Sequence, residues 1–162
     1  TMGSSFYISY KAFDLSVTTY GAFGQQIMKC YRDFCTSPLQ NYTTDILKRW
    51  HGEGTSNKLP KLSSVSSSNW NRVSDLYIEN GDYLKIKNIA IGYDFKKTFK
   101  QLPVQQLRLY VTIQNLYTFT KYSGMDPEIG YGGDDSGSYA QGIDLGYYPS
   151  SRNIMMGFNV KF

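Results

Sequence analysis

The sequence lacks any long hydrophobic run. None of its 162 residues falls in a stretch near the ~18 consecutive apolar residues that a membrane-spanning helix needs. Charged residues are also few, at 19% of the chain, and the formal net charge is +4. The lysines and arginines are scattered, with no run longer than a pair such as Lys48-Arg49. A nucleic-acid-binding surface concentrates its basic residues, so the sequence excludes a spanning helix and argues against a nucleic-acid partner.

Histidine and cysteine are scarce, which removes most catalytic and metal sites. The single His51 gives no basis for a catalytic triad, and zinc sites usually need four ligands. Cys30 and Cys35 either close a small disulfide loop or remain two free thiols. In an exported protein we favour the disulfide. We therefore expect a protein that is not an enzyme and that carries no metal or cofactor.

Aromatic residues, in contrast, are abundant. They make up 16% of the chain, with 15 tyrosines and 9 phenylalanines. Weakly charged chains of this kind with strand-like alternation are typical of secreted all-β domains and of outer-membrane β-barrels. Apolar residues at every second position predict five strands, in residues 5–10, 13–23, 83–95, 106–122 and 153–162. The third changes parity near Lys87-Asn88, which predicts a bulge or the point where the strand leaves the bilayer.

The connections between these strands are alternately short and long. Lys11-Ala12 is a minimal turn and residues 96–105 form a short connection, whereas residues 24–82 and 123–152 form long loops. In a meander, short and long connections lie at opposite ends of the sheet. Short periplasmic turns and long extracellular loops are the pattern of outer-membrane barrels. Soluble sandwiches rarely carry unstructured loops of such length.

The two parities of the strands differ in chemistry. One is apolar and carries aromatic residues towards its ends, as in the interfacial girdles of barrels. The other suits a watery lumen, and its candidate lumen-facing residues are Arg108, Tyr110, Thr112, Gln114 and Asn159. One sheet of a soluble sandwich, with its apolar side inward, has the same alternation and stays open as an alternative. Five strands cannot close a membrane barrel, since the smallest have about eight. The sequence therefore predicts part of a larger, antiparallel transmembrane β-barrel.

Several segments resemble one known family. They are NGDYLKIKNIAIGYDF (80–95), LRLYVTIQNLYTFTKYSGMDPE (107–128) and GIDLGYYPSSRNIMMGFNVKF (142–162). In this order and spacing they are similar to the C-terminal end of SusC/RagA-type TonB-dependent transporters, which are outer-membrane proteins of Bacteroidetes. SFYISYKAFDLSVTTYGAFGQQI (5–27) resembles the preceding hairpin of that family. Residues 28–71 carry no family signature.

The resemblance implies a fold, a location and a set of partners. It implies a barrel of about 22 strands with a plug domain inside, which imports glycans, oligosaccharides or peptides across the outer membrane. TonB drives this import, and a SusD-like surface lipoprotein acts as a lid. Residues 1–162 would supply the last five strands, in contact with membrane lipid and with the rest of the barrel. Thr1-Met2-Gly3 leads directly into a strand without a signal peptide, so we expect the plug and the TonB-contacting segment to lie outside this chain.

The resemblance also assigns roles to single residues. Phe162 would be the signal read by the barrel-assembly machinery, on a final strand that pairs with the barrel's first strand. The aromatic loop residues would stack on sugars or contact the lid protein, with ordinary loop packing as the alternative; they are Trp50, Trp70, Tyr131 and Tyr139. The competing function is a secreted β-sandwich binding module, such as an adhesin or a lectin.

Two acidic pairs in the second long loop have competing interpretations. Asp126 and Glu128 flank Pro127 and have the composition of an acid–base pair, but Pro127 fixes the chain direction. We therefore favour turn formation or packing at the lumen mouth. Asp134-Asp135 offers oxygen ligands for a hard cation such as calcium. A solvated loop is the favoured interpretation there.

Overall fold

The computed structural model describes residues 1–30, 44–62, 74–129 and 142–162. Its strands, in chain order, are β1 (Met2–Tyr10), β2 (Phe13–Ala22), β3 (Gln26–Lys29), β4 (Ile78–Asn80), β5 (Tyr83–Asp94), β6 (Gln106–Thr120), β7 (Ile143–Asp144) and β8 (Asn153–Lys161). A four-residue helix, α1 (Phe95–Thr98), follows β5, and short 3-10 turns cover Thr44–Lys48 and Asp75–Tyr77. No helix in the described ranges is long and apolar enough to cross a membrane.

The five long strands form one sheet in the order β1-β2-β5-β6-β8, and every neighbouring pair is antiparallel. The antiparallel all-β architecture predicted from the alternation is confirmed. Each long strand overlaps one of the predicted ranges, and β1 begins three residues earlier than expected, at Met2. In the described part of the chain β1 and β8 form the two edges, so this sheet is an open one.

The predicted bulge is confirmed in β5. Against β2 the register of β5 shifts between Ile86 and Asn88, which leaves Lys87 as the extra residue. Against β6 the register shifts at the same place, where Lys87 lies opposite two residues, Asn115 and Leu116. Because of that extra residue, Ile86 and Ile89 lie on the same face of the sheet although their numbers differ in parity. The predicted minimal turn is also present, since Tyr10 pairs with Phe13 around Lys11-Ala12.

One face of the sheet is apolar across all five strands. The registers align one row of Phe6, Val17, Ile89, Ile113 and Ile154, and a second row of Ile8, Leu15, Ile91, Val111 and Met156. We call this the apolar face. It is exposed: Ile8 is 60% accessible, Ile91 53% and Met156 73%. A soluble sandwich buries the apolar side of its sheets, so the exposure runs against that alternative.

Aromatic rings border the apolar face at both ends. Tyr93 packs edge-on against Phe13 and Phe95, with centroids 4.6 and 4.8 Å apart. At the other end Tyr117 and Phe119 pack at 4.7 Å. The strand registers place these two levels eight residues apart along β2, from Phe13 to Gly21, or about 26 Å of strand at ~3.3 Å per residue. A strand tilt of ~40° projects this to about 20 Å, comparable with the ~25 Å apolar band of outer-membrane barrels.

A second, smaller sheet lies inside the regions that the sequence assigned to long loops. β3 pairs antiparallel with β4 and parallel with β7. The interpretation of residues 24–82 and 123–152 as loops alone is therefore incomplete. Strands of two to four residues contain too few positions to show a period of two, which is why the sequence pattern did not predict them.

The core lies where the two sheets meet, at the long-loop end of the molecule. Buried apolar side chains gather there, on the ends of β2 and β5 and on β3; they include Ala22, Ile27, Tyr83 and Tyr122. A Cβ at Gly81 would come within 2.5 Å of the Ile27 side chain, so a residue without a side chain is needed at this contact. The core therefore fixes the loop stems above the sheet and leaves the apolar face uncovered.

Candidate functional site

The predicted lumen-facing residues share one face of the sheet, opposite the apolar face. Arg108, Tyr110, Thr112 and Gln114 alternate along β6 with the apolar-face positions, and Asn159 of β8 pairs with Arg108. We call this the polar face. Two ionic clusters stand on it, one near the short connections and one near the long loops.

The turn-end cluster consists of Asp14, Arg108 and Tyr110. Nε of Arg108 donates to Oδ1 of Asp14 at 2.9 Å and Nη2 donates to Oδ2 at 2.5 Å, a bidentate pair of the stronger, charge-assisted kind. The guanidinium also lies over the Tyr110 ring, 5.3 Å from its centroid. This geometry fixes a positive and a negative group side by side on the polar face.

Two glycines leave the space that the side chains of this cluster occupy. β5 lies between the strands of Asp14 and Arg108, and at Gly92 a Cβ would stand 2.5 Å from Nη2 of Arg108. At Gly157 of β8 a Cβ would stand 2.5 Å from the Tyr110 hydroxyl. Glycine inside a strand often marks such a close approach. That signal was present in the sequence, but without the strand registers it did not identify the partners.

The loop-end cluster consists of Lys85, Lys87, Asp126 and Glu128. Nζ of Lys85, a residue only 2% exposed, donates to Oε2 of Glu128 at 2.7 Å and to Oδ2 of Asp126 at 3.4 Å. Nζ of Lys87 lies 2.6 Å from Oε1 of Glu128 and 4.7 Å from the Tyr20 ring centroid. The bulge at Lys87 brings it to the same carboxylate as Lys85.

The Glu128 carboxylate of this cluster is held in the charged form. Burial alone raises the pKa of Glu128, but hydrogen bonds from Lys85 and Lys87 outweigh it, and the pKa lies below its usual range. A general acid needs the opposite shift, so the geometry argues against acid–base chemistry here. Oδ1 of Asp126 accepts from the backbone amide of Glu128 at 2.9 Å, which supports the favoured turn-forming role.

A third set of polar contacts, around two buried charges, joins the chain segments of the loop stems. Asp144, 1% exposed, accepts from the Tyr122 hydroxyl at 2.6 Å and from the amide of Gly146 at 2.8 Å. Lys29, 2% exposed, donates to Oγ of Ser123 at 2.7 Å. Buried charges with partners of this kind fix one arrangement of the chain around them.

No sequence pattern marks Lys29, Asp144 or the two lysines of the loop-end cluster. Their side-chain partners Ser123, Tyr122 and Glu128 lie 22 to 94 residues away in the chain. In the sequence they appear as isolated charges, and only the sheet registers bring them together.

The structure describes only some of the remaining candidate residues. Trp50 is 38% exposed, and its amide donates to the carbonyl of Leu59 at 2.9 Å. Phe162 follows β8 and is 87% exposed. Their roles stay predictions. Four other candidates lie outside the described residues, as does the Asp134-Asp135 pair; they are Cys35, Trp70, Tyr131 and Tyr139.

Cys30 is exposed, and its amide donates to the carbonyl of Asp144 at 2.8 Å. Partial burial and the Asp144 carboxylate raise the pKa of the Cys30 thiol. Because Cys35 is not described, the disulfide stays a prediction. Among the residues that the structure describes, no group of three or more His, Cys, Asp or Glu could hold a metal ion.

Comparison with known proteins gives matches over the whole chain. It is 33% identical over 165 residues to TonB-dependent receptor P3 of Formosa agariphila, across 100% of this chain and 16% of that protein. It is 26% identical over 163 residues to TonB-dependent receptor SusC of Bacteroides thetaiotaomicron, across 99% and 15%. The solved RagAB peptide transporter matches with a TM-score of 0.75 at 25% identity, across 99% of this chain and 17% of that one. No family model matches the chain.

Proposed function

Since the chain belongs to the SusC/RagA type of TonB-dependent receptors of the outer membrane, we propose that it forms a five-stranded sector of an importer's barrel wall. The family and the location expected from the sequence are thereby confirmed. The chain spans about a sixth of the length of the curated relatives that it matches. The activity, substrates and partners of the whole protein therefore belong to the proposal.

The observation that carries the proposal is the contrast between the two faces of the sheet. Apolar side chains form rows five strands wide on one face, and these side chains are exposed or half-buried, with Ile154 at 69% and Met156 at 73%. A soluble protein rarely exposes a continuous apolar surface of this extent, whereas lipid is a suitable neighbour for it. The same contrast disfavours the secreted binding module, which would bury this face.

The polar face then lines the lumen. Arg108, Tyr110, Thr112, Gln114 and Asn159 point away from lipid in this arrangement and contact the plug or the substrate. The rest of the barrel covers the edges of β1 and β8, because unpaired backbone groups are costly in lipid. By the family resemblance, Phe162 serves as the barrel-assembly signal.

The substrate and the external partners follow from the relatives. A peptide or a glycan passes the lumen, TonB supplies the driving force, and a SusD-like lipoprotein covers the long-loop end. The solved RagAB complex is named a peptide importer, and SusC is named a TonB-dependent receptor. The loop-end cluster and the contact between Lys29 and Ser123 support a firm lumen mouth, since ion pairs and hydrogen bonds hold its chain segments together. The loop residue Trp50, partly exposed, is available to contact substrate or lid.

Thiol labelling of the full-length transporter in intact cells tests the proposal. Val111→Cys on the apolar face and Thr112→Cys on the polar face are compared in a background where Cys30 and Cys35 are replaced by serine. A membrane-impermeant maleimide should label Thr112→Cys and leave Val111→Cys largely unlabelled until detergent is added. Equal labelling of both in intact cells would show that lipid does not cover the apolar face.

A further inference from the structure

Basic residues that are scattered along the sequence gather at one end of the folded sheet. We call this the turn end; it comprises residues 9–14, 94–108 and 158–162, which the strand registers bring together. It carries six of the 17 lysines and arginines but only two of the 13 acidic residues. The rest of the chain has eleven residues of each sign, so the turn end holds the whole formal net charge of +4.

Both acidic residues of the turn end are already engaged. Asp14 forms the bidentate pair with Arg108. Asp94 is 9% exposed, and its Oδ1 accepts from the backbone amide of Lys96 at 3.1 Å. Within the described residues no carboxylate forms an ion pair with the five lysines of this end, which are Lys11, Lys96, Lys97, Lys100 and Lys161. Their positive charge is therefore left for a partner outside the described residues.

Two of these lysines lie next to exposed aromatic rings. Nζ of Lys11 is 5.3 Å from the centroid of the Tyr10 ring, and Tyr10 is 67% exposed. Lys100 directly follows Phe99, which is 56% exposed. A lysine beside an exposed aromatic ring is typical of the membrane–water interface, because the ring reaches the acyl chains while the ammonium group reaches the head groups.

The short helix α1 places Phe99 on the side of the apolar face. Phe95 packs against Tyr93 of that face, with ring centroids 4.8 Å apart. The Tyr93 hydroxyl is hydrogen-bonded to Oγ1 of Thr98 at 2.7 Å. The amide of Phe99 donates to the carbonyl of Phe95 at 2.7 Å, so the two residues are one helical turn apart. Residues at this spacing share one side of a helix.

Hydrogen bonds hold the connection after α1 in one position. Nζ of Lys96 donates to the carbonyls of Lys100 and Leu102, both at 2.8 Å. The amide of Leu102 donates to the carbonyl of Phe99 at 3.3 Å. The backbone of Lys100 is thereby fixed while its side chain is exposed, and a fixed backbone lowers the ordering cost of binding.

We propose that the turn end binds anionic phospholipid head groups of the periplasmic leaflet through the ammonium groups of Lys11 and Lys100. The rings of Tyr10 and Phe99 then lie among the acyl chains just above the phosphates. Lysines at a membrane surface attract anionic lipids, and the short connections of an outer-membrane barrel lie on its periplasmic side. The leaflet on that side is composed of glycerophospholipids. An acidic protein segment is the competing partner, and the exposed ring beside each of the two lysines favours the lipid.

The proposal rests on the proposed function in one respect, which is that lipid covers the apolar face. It goes further in naming a lipid class and the end of the sheet that selects it. The remainder of the chain, with equal numbers of basic and acidic residues, has no comparable excess of charge.

Photo-cross-linking of the full-length transporter in vesicles tests the proposal. The vesicles contain phosphatidylglycerol, which is anionic, or phosphatidylcholine, which is zwitterionic, each with a diazirine at the same acyl position. Peptide mass spectrometry should find more phosphatidylglycerol than phosphatidylcholine on the peptides that contain Tyr10 and Phe99. Higher ionic strength should reduce this preference.

Variants assign the preference to single lysines. Lys11→Gln should lower the phosphatidylglycerol yield about fivefold on the Tyr10 peptide, and Lys100→Gln should do the same on the Phe99 peptide, the size of one interfacial lysine contact. The phosphatidylcholine yield should stay unchanged in both. Lys58→Gln is the matched control, because Lys58 is an exposed lysine in the long-loop region; it should behave like the wild type.

Three results would overturn the site. They are equal yields of the two lipids in the wild type, as an acidic protein partner would give, unchanged yields in Lys11→Gln and Lys100→Gln, or the same loss in Lys58→Gln. Each would leave the maleimide pattern of Val111→Cys and Thr112→Cys intact. Failure of the barrel-wall proposal would instead change that pattern and remove the adducts of both lipids.

Discussion

The two faces of the five-stranded sheet share one backbone but differ in the partners that their side chains have. On the apolar face the side chains need no specific partners, and their rows run from β1 to β8 with exposed or half-buried members. On the polar face Arg108, Lys85 and Lys87 are each held by a carboxylate. In a soluble protein the apolar side of a sheet would form the core. Here the buried core lies among the loop stems instead, so the apolar side of this sheet faces outward.

The largest predicted effect comes from placing a charge on the wrong face. Ile113 lies in a central row of the apolar face, and Gln114 is its neighbour on the polar face. Ile113→Arg should destabilise the full-length barrel by ~2–4 kcal/mol, the cost of a lipid-facing arginine near the bilayer centre. Gln114→Arg should cost less than about 1 kcal/mol, because it places the charge on the polar face. Urea titrations of both variants in lipid vesicles measure the difference, and equal midpoints would contradict the assignment of faces.

A second comparison separates the two lysines of the loop-end cluster. Lys85 contacts both carboxylates and its side chain is 3% exposed, whereas that of Lys87 is 40% exposed. Lys85→Met leaves the buried ends of Asp126 and Glu128 without their main donor and should cost about 1–3 kcal/mol. Lys87→Met should cost about 0–1 kcal/mol, as exposed ion pairs usually do. Denaturation midpoints of the two variants test this order. A larger loss of stability in Lys87→Met than in Lys85→Met would contradict it.

The turn-end cluster predicts a coupling between a glycine and an ion pair. Gly92→Ala places a Cβ against the Arg108 guanidinium and should displace it from Asp14, at a cost of about 1–2 kcal/mol. Arg108→Ala should then cost less in the Gly92→Ala background than in the wild type. A double-mutant cycle on the full-length protein measures the coupling. Additive costs would mean that Gly92 does not affect the ion pair between Asp14 and Arg108.

The smallest predicted effect is a dependence on pH. The folded-state pKa of Glu128 lies below its ordinary value of 4.5. Its contribution to stability is therefore complete above pH 4.5, and it is lost as the pH falls below that value through the lowered folded-state pKa. The stability difference between the wild type and Glu128→Gln should be constant from pH 7 to pH 5.5 and should shrink towards pH 3. A difference that grew on acidification would contradict the ion pairs.

How much of the structure the sequence could predict depends on how far apart in the chain the residues behind each signal lie. Alternation is local, so the five long strands, the Lys11-Ala12 turn and the bulge near Lys87 could be read directly. The polar face followed from the same parity. The ion clusters could not be predicted, because Asp14 and Arg108 are 94 residues apart and their pairing depends on strand registers and on Gly92. The short strands β3, β4 and β7 carry no period at all, and they depend on contacts with one another.

The most direct test of the central claim is a nitroxide scan of β6 in the full-length protein, reconstituted in bilayers. Spin labels at successive positions from Leu107 to Phe119 report collisions with oxygen, which concentrates in lipid, and with a water-soluble nickel complex. We predict that oxygen accessibility peaks at Leu109, Val111 and Ile113, and that nickel accessibility peaks at Arg108, Tyr110 and Thr112. Accessibility without a period of two, or with the two profiles exchanged, would contradict the account that the exposed apolar face contacts lipid.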